Sequence, residues 1–102
     1  MKIAQKEKNE IKKKIVASLQ NEAEVQKIVI FGSFLTVETP NDIDVAVFQN
    51  SNESYLPLAM KYRKKTRMVS KRIPIDIIPM RIGSLEGSMA DEIFRGEVIY
   101  EK

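Results

Sequence analysis

Apolar positions along this chain fall into short blocks whose spacing changes from block to block. Over residues 7–21, Ile11, Ile15 and Leu19 recur at i, i+4 and i+8, while Lys12, Lys13 and Lys14 point elsewhere, which predicts a helix. VQKIVIF at 25–31 reads as a strand. Its last four residues are continuously apolar and include two β-branched isoleucines, so both of its faces should be covered. IDVAVF at 43–48 reads as a second strand, and the turn-rich QNSNES behind it places Ser54 to cap a following helix. In residues 55–70 the stripe Tyr55, Leu58, Ala59, Tyr62, Thr66 and Val69 has helical spacing.

A third strand is expected over 73–79, stopping at Pro79, with Pro74 marking a strand start or an edge position. A last helix over 84–95 carries Leu85, Met89 and Ile93, and Gly96 stands where a left-handed cap belongs. The closing GEVIYEK leaves room for a short extra strand. The order helix, strand, loop, strand, helix, strand, helix describes an α/β (α+β) sandwich: a small mixed β-sheet with helices packed on it. At 102 residues, with no repeat or linker-like shift in composition, residues 1–102 read as a single domain.

Composition narrows the chemistry. No stretch approaches the roughly 18 consecutive apolar residues of a membrane span, and MKIAQKEKNEIKKK has neither the apolar segment nor the cleavage site of a signal peptide. Cytoplasmic location, without membrane attachment, is the expectation. There is no cysteine, hence no disulfide framework or thiolate metal site. There is no histidine either, which removes Ser-His and Cys-His catalysis, imidazole acid–base chemistry and histidine metal sites. Chemistry must rest on carboxylates, hydroxyls, amines, guanidinium groups or backbone amides, and carboxylates alone favour hard cations such as Mg²⁺.

The net charge is +3, unevenly spread. Residues 61–72, KYRKKTRMVSKR, hold seven basic residues and no acidic one, and setting these aside leaves −4 for the rest of the chain. The plainer reading is a solvated helix face; the functional one is a footprint for a triphosphate, an acidic partner or RNA. Tyr62 is the one aromatic in this segment and lies on the apolar stripe, so nucleic acid is not the expected main ligand.

Against that background the carboxylates stand out. Asp42 and Asp44 are two residues apart at the opening of a strand, so they share a face with roughly 7 Å between their Cα atoms. Like charges there raise a pKa or weaken the strand unless something compensates them. Asp76 lies among isoleucines in the third strand and converges with them if the two strands are neighbours. An Asp in "PND" is also good turn sequence, and a lone Gly-Ser means little; the combination of strand, Gly32-Ser33, short loop, Asp-x-Asp and later Asp carries the signal. Mg²⁺ would resolve the repulsion, with glycine letting backbone amides approach a phosphate.

The pattern of an apolar strand ending in Gly32-Ser33, then Asp42-Ile43-Asp44, then Asp76, resembles the nucleotidyltransferase superfamily that includes DNA polymerase beta. The short length and the ending DEIFRGEVIYEK resemble its minimal nucleotidyltransferases. The resemblance implies the nucleotidyltransferase fold, with Asp42 and Asp44 ligating two Mg²⁺ ions. It implies that Asp76 completes one metal site and acts as general base, and that Gly32 and Ser33 hold the nucleotide's phosphates. The implied reaction is transfer of a nucleoside monophosphate, AMP from ATP or another NTP, to a hydroxyl with release of pyrophosphate.

Minimal members of that superfamily are commonly paired with a HEPN-domain protein as antitoxin and toxin, which implies a HEPN-type partner as acceptor. The chain is not the HEPN component itself, whose ribonuclease motif needs a histidine. The rival expectation is a binding module that neutralises its partner by contact alone. A chain this short has little room for acceptor recognition, so a second chain, in a homo-oligomer or a partner, is expected to complete the substrate site. Family members usually carry a basic residue soon after the Gly-Ser. Here residues 34–41 hold no positive charge and one negative, leaving Lys61, Arg63 or a partner chain to face the phosphates.

Overall fold

A computed structural model describes residues 2–81 and 89–102. Helix α1 (Gln5–Leu19) leads into strand β1 (Val25–Phe31), and a 3-10 turn at Ser33–Leu35 precedes β2 (Ile43–Gln49). Helices α2 (Tyr55–Lys65) and α3 (Arg67–Ser70), strand β3 (Ile75–Arg81), helix α4 (Met89–Phe94) and strand β4 (Glu97–Glu101) follow. The four strands form one mixed sheet in the order β3-β2-β1-β4. β1 runs antiparallel to both β2 and β4, while β2 and β3 are parallel, joined across α2 and α3.

The continuous apolar end of β1 is covered on both faces. Ile28 and Ile30 join Ile11, Ile15 and Leu19 of α1, Leu58 and Tyr62 of α2, and Val69 of α3 in the main core, where Ile43, Val45 and Val47 of β2 also lie. Val29 and Phe31 turn to the opposite face and pack with Ala46, Phe48 and Ile93 of α4. Adjacent residues of one strand thus serve different layers, the period-2 geometry of a strand. No helix among the described residues is long and apolar enough to cross a membrane.

Several element boundaries differ from the sequence expectation. α1 begins and ends two residues early; at its start Ile3 and Lys8 are buried, and the Ile3 amide donates to the Glu38 carbonyl at 2.9 Å. Ser54 occupies the N-cap position of α2, but its side chain makes no capping bond. Pro57 is tolerated because first-turn amides have no intrahelical acceptor.

The expected helix over 55–70 divides at Thr66, whose buried hydroxyl donates to the Tyr62 carbonyl at 2.9 Å, a back-bond that bends a helix. Tyr55, assigned to the apolar stripe, is exposed; the rest of that stripe is buried. β3 continues through Pro79 to Arg81, since an edge strand tolerates a residue without an N–H. The helix expected over 84–95 is described from Met89 onward, and Leu85 lies outside the described residues. Gly96 is not left-handed, because Gly32 is the one glycine with positive φ among the described residues. Gly96 is needed for space instead: a Cβ there would meet the Ile30 carbonyl oxygen at 2.5 Å and Val29 Cγ1 at 2.8 Å.

The basic segment lies mostly on the exposed side of α2 and α3. Lys61 is tied to Glu24 at 2.7 Å, and Arg72 to Glu7 at 3.1 Å. Arg63, Lys64 and Arg67 surround a surface hollow with Pro57 and Met60.

Candidate active site

The chain reverses direction between β1 and β2, and the acidic residues gather at that end of the sheet. Asp44 is the second residue of β2, opposite Phe31 on β1 and in register with Asp76 on β3. Neighbouring strands lie about 4.8 Å apart, so Asp44 and Asp76 are direct cross-strand neighbours. Both alternate with residues of the main core, Ile43, Val45 and Ile77, and therefore project from the face that α4 covers. Asp42 sits just before β2 and is half-buried, as is Asp44; Asp76 is exposed.

Burial pushes the Asp44 carboxyl above the ordinary aspartate range, and the charges of Asp42, Asp76 and Glu92 push it further the same way. The charges of Asp42 and Asp76 both act on Asp44. Glu92, on α4, is a fourth carboxylate that the sequence pattern did not single out. Ile93 beside it anchors α4 on Val29, Phe31, Ala46 and Phe48, which turns Glu92 toward this end of the sheet.

Gly32 is bound to this arrangement twice over. Its backbone takes φ +82° and ψ −159°, a region that only glycine enters without strain. A Cβ at this position would stand 2.6 Å from Oδ2 of Asp44. The missing side chain is what allows the carboxylate to lie against the backbone. Ser33 opens the 3-10 turn and is exposed, while its carbonyl accepts from the amides of Thr36 at 3.1 Å and Val37 at 2.8 Å. Lys8 braces the same loop from below: its ammonium donates to the Val37 carbonyl at 2.8 Å and lies 5.4 Å from the centre of the Phe34 ring.

An all-carboxylate donor set suits a hard divalent cation and no soft one. The fit to Mg²⁺ is supported by the unrelieved negative charge around Asp44 and by the register of Asp44 with Asp76. Among the described residues no three acidic side chains yet stand close enough to cage a cation, so strand register and shared face are what the backbone fixes.

Lys61 and Arg63, the cations expected to replace a missing loop charge, do not serve this site. α2 packs on the opposite face of the sheet, and Lys61 is held by Glu22 and Glu24 beside the first residue of β1, at the far end of that strand.

Comparison with known proteins decides the family. The profile described as "Polymerase beta, Nucleotidyltransferase" matches residues 13–102. The chain belongs to that family. No curated protein matches the sequence significantly. Among solved structures, a chain from the complex of tri-AMPylated Shewanella oneidensis HEPN toxin with MNT antitoxin superposes with a TM-score of 0.68. It is 18% identical, over 93% of this chain and 73% of that one. A chain of the toxin–antitoxin MntA–HepT gives 0.65 at 18% identity, over 92% and 73% of the two chains. A toxin–antitoxin crystallised with AMP-PNP gives 0.60 at 22% identity, over 89% and 73%. These likenesses show that the mixed sheet and its helices form a nucleotidyltransferase fold.

Proposed function

We propose that this nucleotidyltransferase-family chain transfers AMP from ATP to a hydroxyl group on a HEPN-type partner protein, with Mg²⁺ as the metal. The observation that carries the reading is the register of Asp44 with Asp76 on neighbouring strands, beside a glycine whose missing side chain lets the Asp44 carboxylate lie against the backbone. The solved complexes with the same fold support it: one holds a tri-AMPylated HEPN toxin, another AMP-PNP.

In this reading Asp42, Asp44 and Asp76 would hold two Mg²⁺ ions. When bound, these would neutralise the carboxylates and the phosphate oxygens and polarise the reacting phosphorus. Gly32 and Ser33 receive the phosphates, and the half-burial of Asp44 keeps water from screening the charges that orient them. The acceptor oxygen attacks the α-phosphorus, the bond from that phosphorus to the pyrophosphate oxygen breaks, and the acceptor's proton passes to Asp76. Asp76 suits that part because it is the exposed member of the trio and can face a second protein. Positioning and charge neutralisation supply most of the acceleration, as is general for phosphoryl transfer.

The deciding experiment is Asp44→Asn with labelled ATP, Mg²⁺ and a HEPN partner. Transfer should fall by at least about a hundredfold, equivalent to a loss of roughly 3 kcal/mol of transition-state stabilisation, while the circular dichroism spectrum is retained. A variant that still labels its partner at the wild-type rate overturns the assignment. A variant that neutralises the partner without labelling it identifies a contact antitoxin.

A further inference from the structure

Beside Gly32 the structure opens a cavity of about 210 Å³ lined by Gly32, Leu35, Thr36, Glu92 and Arg95. Pockets for whole drug-sized ligands run to roughly 300–1,000 Å³. This one is too small for a whole nucleoside triphosphate and large enough for a short phosphate chain. Its position agrees: the Asp44 carboxylate, where the transferase reading places the reacting phosphorus, lies against Gly32, which also lines the cavity. A nucleotide reacting there extends its remaining phosphates past Gly32.

Other nearby cations are engaged elsewhere. Lys8 is bound to the Val37 carbonyl, Lys12 pairs with Glu97 at 3.0 Å, and Lys27 lies 5.8 Å from the centre of the Phe48 ring. Arg63, Lys64 and Arg67 lie on the other face of the sheet, around a hollow on α2 and α3. Arg95 forms no ion pair among the described residues and lines the Gly32 cavity itself. Its place is well defined: its amide donates to the Asp91 carbonyl at 3.1 Å, and Gly96 next to it is pressed onto the Ile30 carbonyl.

We infer that Arg95 is the phosphate-binding cation of this chain, gripping the β- and γ-phosphates that leave as pyrophosphate. A guanidinium offers a planar fork of donors matched to phosphate oxygens. It supplies from the C-terminal end of α4 the positive charge that residues 34–41 lack. Glu92 shares the cavity, so a bare triphosphate is repelled and the ligand enters with part of its charge already neutralised. The inference rests on the transferase reading, which it extends by one residue.

The test compares Mg²⁺–ATP with Mg²⁺–AMP, which lacks both outer phosphates, in titrations of the full chain followed by calorimetry. Arg95→Ala should weaken ATP binding by about tenfold to a hundredfold, the worth of charge-assisted hydrogen bonds, and leave AMP binding unchanged. Arg95→Lys should fall between, keeping the charge but not the fork. Because Arg95 is exposed, the unliganded melting midpoint should hold, which separates binding from folding. Equal losses for ATP and AMP, or no loss for either, overturn the assignment of Arg95 while leaving the transferase reading intact. A wild-type chain that binds neither nucleotide overturns both.

Discussion

At Gly32 the backbone adopts a conformation closed to other residues, and the absent side chain makes room for Asp44. Gly32→Ala should therefore cost about 1–3 kcal/mol in chemical denaturation and weaken nucleotide binding as well, because the new methyl group drives the Asp44 carboxylate away. Asp44 has the opposite relation to stability. Held above its ordinary range by burial and by three neighbouring carboxylates, it must ionise against its surroundings at neutral pH. Asp44→Asn, the variant that should abolish transfer, should therefore raise the metal-free melting midpoint by roughly 2–4 °C, or about half a kcal/mol. A lowered midpoint would mean that the carboxylate is stabilised in the free protein.

The three aspartates and Gly32-Ser33 of the proposed site stood out in the sequence because their signal is local: a spacing of two at a strand opening, and a carboxylate among isoleucines. Glu92 and Arg95 were not. Nothing in DEIFRG distinguishes a docked helix from a solvated one, and only the burial of Ile93 against β1 brings both charges to Gly32.

Elements show a similar division. The strand at 25–31 and the core stripe of α1 follow directly from apolar spacing, and the closing strand pairs with β1. The break of the 55–70 helix does not follow, because the Thr66 back-bond competes with helix propensity only once Tyr62 is fixed in the core. Gly96 was legible as an obligatory glycine but for the wrong reason, since close packing on β1 leaves no trace in local sequence.

α2 is held to the start of β1 by Tyr62, which donates to Glu24 at 2.9 Å, and by Lys61. Burial pushes the Glu24 carboxyl up, but the Lys61 and Tyr62 hydrogen bonds outweigh it and hold the group below its ordinary value of 4.5. A carboxyl with a lowered folded-state pKa stabilises fully above the ordinary value, and the effect vanishes as pH falls through the lowered one. Glu24→Gln should cost about 1–2 kcal/mol near pH 7. The gap between the two proteins' melting midpoints should close as pH drops below 4.5.

On the scale of the whole molecule, β1 and β2 contribute to both hydrophobic clusters and bind them into one cooperative unit. Ile93→Ala removes a buried side chain from the smaller cluster and should cost about 2–4 kcal/mol. Unfolding should remain a single transition, with circular dichroism and tyrosine fluorescence, to which Tyr62 of the larger cluster contributes, changing together. Two separated transitions would show that the α4 face melts on its own. The same variant should lose the contribution of Arg95 to ATP binding, since α4 is what delivers it.

The alternation along β2 has one more consequence. Val45 belongs to the main core and Asp44 to the acidic face, so sliding the strand by a single residue would drive a carboxylate into the apolar interior and push a valine out. Short apolar strands such as IVIF and VAVF offer many nearly equivalent ways to pair. Charges kept for chemistry make the wrong ones prohibitively costly, so the residues that would do the work of the protein also proofread its assembly.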